Sequence, residues 1–292
     1  MKKIFKWITS SNRRLILVAL YLVSFVLMFN IVKSYIFVKQ YDELQKKERA
    51  NLDTYIEVKG QYIYIDGEEV YRFLPVQGGT LSVKDPTGFG RRDITVRSFM
   101  LGEIPVTTRL HEYVYHNNIV SKNAAEFYFE YPANNGTMED WQTFINLLNK
   151  KTGHKFRLPT NDEWEYAARG GNLSLNYKYA GSNNIDTVAY YKDNCKGLGL
   201  FVCKDKKPNE LGFYDMSGCI WELTSTKIGD VYKKFKTFAR IFPGSGEKGV
   251  SDIAEGYISR GGAYNSPAEE CALNYIPSKF IVRTGARLVM DY

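Results

Sequence analysis

Histidine is scarce in this chain, with three in 292 residues, and His111, His116 and His154 are too scattered to suggest an iron site. Cysteine is scarce too: the four thiols, Cys195, Cys203, Cys219 and Cys271, include no Cys-x-x-Cys pair and no zinc-type spacing. There is no Gly-x-Ser-x-Gly elbow, no phosphate loop and no dinucleotide fingerprint, which removes the common hydrolase and nucleotide-binding readings. Internal repeats and low-complexity tracts are absent as well. The formal net charge is +7, but acids and bases are interspersed and no basic stripe with interleaved aromatics occurs. Nucleic acid is therefore not an expected partner.

What the chain does have is one long apolar run. Residues 15–32 are apolar apart from Tyr21, Ser24 and Asn30, and Ile36, Phe37 and Val38 extend the run. That length matches a hydrocarbon core of about 30 Å crossed by a helix. Lys2, Lys3, Lys6, Arg13 and Arg14 precede it, which suits either an anchor or the start of a signal peptide. The exit, Asn30-Ile31-Val32-Lys33-Ser34-Tyr35, is bulky and charged rather than a small-residue cleavage site, so a retained anchor is expected. No cysteine lies nearby to receive a lipid. The expected organisation is a basic segment at 1–14, a membrane helix at 15–38, a charged helical stalk at 39–60 and a folded domain at 61–292. The basic start places the N-terminus in the cytoplasm and the domain outside it, periplasmic in a bacterium, although Lys33, Lys39, Lys46, Lys47 and Arg49 reduce the asymmetry.

Within the domain, Tyr62-Ile63-Tyr64-Ile65, Asp66-Gly67 and Val70-Tyr71-Arg72-Phe73 read as a hairpin around a tight turn. Thr107 is placed to cap a helix running through Tyr115. Trp141, Phe144, Ile145 and Leu148 form one apolar face of a helix opening at Thr137. Between residues 172 and 207 periodicity fades, so order there must come from packing, a disulfide or a metal. Cys195 and Cys203, eight apart in that loop, could staple it.

The organising stretch is Phe156-Arg157-Leu158-Pro159-Thr160-Asn161-Asp162-Glu163-Trp164-Glu165-Tyr166-Ala167-Ala168-Arg169-Gly170-Gly171. Thr160 or Asn161 caps a helix, Asp162 and Glu163 meet its positive end, and Gly170-Gly171 supply a left-handed exit. Glu165 and Arg169 are four apart and can pair, while Trp164, Ala167 and Ala168 follow a buried stripe. This stretch resembles the signature of the formylglycine-generating enzyme, or sulfatase-modifying factor, family. Asn209-Glu210-Leu211-Gly212-Phe213-Tyr214-Asp215-Met216-Ser217-Gly218-Cys219-Ile220-Trp221-Glu222, Arg260-Gly261-Gly262-Ala263-Tyr264 and Gly285-Ala286-Arg287-Leu288-Val289 carry the same resemblance onward, over roughly residues 73–292. It implies an α+β, C-type-lectin-like fold, loop-rich, with small sheets and two main helices. Arg157, Trp164, Glu165, Arg169, Trp221, Arg260 and Arg287 fall on its structural motif positions.

Fold does not fix function, so the chemistry rests on individual residues. The resembling enzymes oxidise a substrate cysteine with oxygen and copper(I), held by two cysteines after the Gly-Gly motif. Counted from Tyr264, those positions are Ser266 and Cys271 here. A hydroxyl is no soft ligand, so copper is not expected. The arginine-rich run that follows in the family is replaced by Ala272-Leu273-Asn274-Tyr275-Ile276. A structural calcium is implied near the tryptophan motif, at Ser217, Gly218, Ile220 and Glu222, with hard oxygen donors. The competing reading pairs Glu222 with Arg260 or Arg287. Cys219, standing where the family commonly has Asn, could meet Cys271; the alternative leaves them as buried free thiols.

The expectation is a membrane-anchored, non-catalytic binding or scaffold module of an envelope-associated complex, with protein partners. The rival is a divergent oxidase or oxygenase acting through Cys271. A third reading is ligand display by the region 265–284, as lectin-like folds present variable loops.

Overall fold

The computed structural model describes residues 55–84, 90–116, 130–134, 136–195, 201–230, 256–277, 281 and 283–291. The expected membrane helix at 15–38, the segment at 1–14 and most of the stalk lie outside them. Among the described residues, no helix is long and apolar enough to cross a membrane. Residues 54–292 form one compact unit.

The backbone of that unit is an antiparallel sheet assembled from both ends of the domain. Strands β1 (Ile56–Lys59), β2 (Tyr62–Ile65) and β3 (Glu68–Val76) form a meander, with Asp66 (φ 53°) and Gly67 (φ 82°) making the expected left-handed hairpin turn. Strands β4 (Gly79–Lys84) and β5 (Arg91–Val96) leave the sheet as a two-stranded ribbon, and β6 (Phe99–Gly102) returns to pair with β3. The two-residue strands β7 (Phe156–Arg157) and β10 (Val289–Met290) complete the order β1-β2-β3-β6-β10-β7. Strands β8 (Glu222–Lys227) and β9 (Tyr257–Arg260) form a second ribbon.

The sheet is covered on both faces, and the period-two alternation of side chains decides which residue goes where. Phe73 and Leu288 join the core beneath helices α1 (Thr108–His116) and α2 (Met138–Thr152), with Leu110, Val114, Trp141, Phe144, Ile145 and Leu148. Val76, Leu101 and Val289 point into a second core with Trp164, Ala167 and Ala168 of helix α3 (Asn161–Ala168), Phe213 and Met216. A third, smaller cluster contains Tyr191, the residue just before a short helix, α4 (Lys192–Cys195). The stripe of α2 is the one its spacing predicts, and truncating one of those large side chains costs about 2–5 kcal/mol. His111 is buried against this stripe, its ring stacked on Phe144 at 5.3 Å.

Just beyond the aperiodic region, order is supplied by a side-chain amide. Asn209 donates to the Ala167 and Ala168 carbonyls that end α3, at 2.8 and 3.2 Å. Its own oxygen accepts from Leu211 and Phe213 N–H groups, at 3.0 and 3.1 Å. One asparagine thus closes a helix and forms a turn.

Candidate functional site

Helix α3 is fixed at its start by a reciprocal capping box. Thr160 accepts from the Glu163 N–H, and Glu163 reaches back to the Thr160 N–H at 2.8 Å. Arg157 grips the same Glu163 through two N–H groups, at 2.7 and 2.8 Å, and also binds Asp291 at 2.8 Å. The helix end therefore ties β7 to the C-terminal segment.

Along its buried face α3 presents Glu165 to arginines from two other parts of the chain and its own end. Arg92 of β5 binds Glu165 and also Asp162; Arg169 pairs with Glu165 at 2.8 Å, and Arg260 at 3.2 Å. Burial alone would raise the Glu165 carboxyl. The charges of Arg260, Arg169 and Arg92 overcome that and hold it below the ordinary glutamate value. Arg260 is wholly buried, donates to Asn161 Oδ1 (3.0 Å) and the Leu273 carbonyl (2.6 Å), and lies over the Trp164 ring at 5.2 Å.

Trp164 connects this cluster to a second one. Its indole N–H donates to Glu222 Oε2 at 2.7 Å. Arg287 holds both oxygens of Glu222, each at 2.8 Å, and spends its remaining N–H groups on the carbonyls of Gly102, Glu103 and Tyr214. Of the two arginines expected for Glu222, the partner is Arg287; Arg260 belongs to Glu165. This arrangement does not fit the calcium set at Ser217, Gly218, Ile220 and Glu222. The only carboxylate in that set is neutralised by Arg287, the Ser217 hydroxyl accepts from the Ala180 N–H, and the Gly218 carbonyl accepts from Ile220. Trp221 is likewise structural, its carbonyl accepting from the Gly285 N–H at 2.8 Å.

Of the readings left open for the cysteines, the structure shows the free-thiol one. Cys195, Cys203, Cys219 and Cys271 are all buried free thiols, so neither a Cys195–Cys203 staple nor a Cys219–Cys271 bridge is present. The physical reason is chain routing: α4 carries Cys195 toward the Ser266 turn, whereas Cys203 runs along the loop at Asp215. Cys271 is packed so tightly that a Cβ on Gly262 would come within 2.6 Å of its sulfur. Burial is the main cause that pushes its thiol up to about 12. Ser266 is also buried, and the site offers one protonated sulfur where copper(I) wants soft thiolates. Among the described residues, no group of three His, Cys, Asp or Glu side chains is placed to hold a metal ion.

At the N-terminal end of α3 a cleft of about 710 Å³ opens between the end of β5, the start of α3 and the end of β8. Arg97, Ser98 and Thr226 line it with Arg157, Asp162, Glu163 and Asp291. Hydroxyls and charges of both signs give it the character of a polar recognition surface.

Sequence reasoning missed the roles of Arg92, Asn209 and Asp215, and read Asn161 only as a cap candidate and not as the acceptor for Arg260. Most of these partners are remote in sequence, and Asp215, at φ 60°, lies in the Tyr-Asp-Met-Ser-Gly turn.

The family model described as sulfatase-modifying factor enzyme 1-like domain matches residues 66–292. Among solved structures, Treponema denticola variable protein 1 aligns with a TM-score of 0.57 at 21% identity, over 82% of this chain and 99% of that one. PvdO from Pseudomonas aeruginosa aligns at 0.54 and 19% identity, over 75% and 94% of the two chains. At these identities the likeness is one of fold. Chaperone protein LppX of Paenibacillus barcinonensis is 38% identical over 103 residues, 28% of this chain and 34% of that protein. This chain thus spans about a third of the length of the curated relative it matches.

Proposed function

The chain belongs to the sulfatase-modifying factor enzyme 1-like domain family, and from that premise we propose that it is a membrane-anchored, non-catalytic binding or scaffold module of an envelope-associated complex. The observation that carries this reading is the identity and burial of Ser266 and Cys271. A buried hydroxyl and one buried thiol, raised to about 12, replace a pair of soft thiolates. The remaining motif residues are committed to structure: Glu165 meets Arg92, Arg169 and Arg260, and Glu222 is held by Arg287 and Trp164.

A role in holding other proteins is supported by the relative named a chaperone, over the part of its length that matches. The surface offered for a partner is the polar cleft beside Arg97. The membrane anchor in this proposal is the apolar run 15–38.

Purification of the full chain in mild detergent tests the reading. A protein partner is expected to co-purify in fixed ratio and to be released by Arg97→Glu, with the fold unchanged. A chain that purifies alone, as a monomer, contradicts it.

A further inference from the structure

Four buried thiols, three of them outside the reading above, lie on two sides of one loop system. On one side, Cys195 ends α4, and the Lys192 N–H of that helix donates to the Ser266 carbonyl at 3.0 Å. The Cys195 N–H donates to the Tyr191 carbonyl at 3.0 Å, and Tyr191 and Cys271 share one apolar cluster, which brings Cys195 toward Cys271. On the other side, the Cys219 N–H donates to the Tyr190 carbonyl at 2.8 Å, and the Tyr190 ring stacks on Phe201 at 3.8 Å. Two residues beyond Phe201 is Cys203, and the Lys204 N–H donates to Asp215 Oδ2 at 2.9 Å. Cys203 is thereby held against the loop that carries Cys219. The electrostatics follow the same grouping: a charge on Cys195 acts on Cys271, and one on Cys203 acts on Cys219.

We propose that these thiols form two disulfides, Cys195–Cys271 and Cys203–Cys219, when the domain matures in an oxidising compartment. The pairing crosses the one that sequence spacing suggests. In each bond both thiols give up a proton, and the electron pair passes to an acceptor disulfide, which leaves as two thiols. Glutathione disulfide or an exchange protein of that chemistry supplies the acceptor. The bonds would lock the aperiodic region to both sides of the buried site and remove Cys271 from any thiol chemistry.

This inference rests on the extracytoplasmic reading of the domain, and the test separates the two. Cells producing the full chain are treated with N-ethylmaleimide before lysis, and peptides are mapped without reduction. Crossed linkages are the expected result. If all four thiols are alkylated, the full chain in detergent is oxidised with glutathione disulfide. Crossed linkages appearing only then uphold the pairing and overturn the location. Cys195–Cys203 or Cys219–Cys271 linkages, or no linkage after oxidation, overturn the pairing. Cys195→Ser gives a second readout: it should free one thiol, Cys271, in the denatured unreduced chain. Freeing Cys203 instead contradicts the assignment.

Discussion

Trp164 and Arg287 converge on one oxygen of Glu222, the indole N–H at 2.7 Å and the guanidinium at 2.8 Å. Two motifs more than 100 residues apart in sequence therefore meet on a single buried carboxylate. Arg287→Met leaves Glu222 without a countercharge and deprives three backbone carbonyls of a donor. A loss of about 3–5 kcal/mol is expected in denaturant unfolding. Trp164→Phe keeps the ion pair and removes one charge-assisted bond, so a smaller loss, roughly 1.5–3 kcal/mol, is expected. Equal losses would contradict a hierarchy led by the ion pair.

Asp215 gives the domain a signed pH response. It is buried, and that burial raises its carboxyl to about 6, against a partial lowering by the Lys204 N–H and Arg287. The folded chain thus holds a proton that the unfolded chain releases between the ordinary aspartate value and about 6. Stability from this group rises as pH falls through about 6 and is full below the unfolded value. Glu163, Glu165 and Asp291 act the other way: held low, they lose their contribution as pH falls below the ordinary carboxylate range. Thermal melting should peak on the mildly acidic side of neutrality. Asp215→Asn keeps an oxygen for Lys204 and should raise stability at pH 7.5 by on the order of 2 kcal/mol while flattening the slope above pH 5. An unchanged slope would remove Asp215 from the account.

Calcium should leave the domain indifferent. With the Glu222 charge neutralised by Arg287, millimolar calcium is expected to shift the melting temperature by less than about a degree, since stabilisation requires binding to the native state. A rise of several degrees would place an oxygen-rich site elsewhere in the loops.

The local chemistry of the fold was readable in advance, and its long-range chemistry was not. The Thr160 cap, the Gly170 exit, the Glu165–Arg169 pair and the α2 stripe each depend on neighbours within a few residues. The Asp66-Gly67 hairpin depends only on its own left-handed turn. By contrast, Glu222 had two candidate arginines, and only the packing of β10 beside β6 decided for Arg287. Arg92 gave no sign of meeting Glu165, because the β4–β5 ribbon must first fold onto α3. The cysteine positions depend on the same long-range packing. Spacing favours Cys195 with Cys203, whereas Cys195 ends the helix bonded to the Ser266 turn and Cys203 precedes the Lys204–Asp215 contact.

The claim that this family member has left oxidase chemistry is tested most directly by supplying everything that chemistry needs. The full chain, copper(I), oxygen and a Cys-x-Pro-x-Arg peptide are incubated together, and aldehyde is measured by mass spectrometry. With Ser266 in place of a soft ligand and Cys271 protonated up to about 12, no aldehyde above the protein-free control is predicted. Aldehyde that forms with the native chain and disappears with Cys271→Ala would contradict the account.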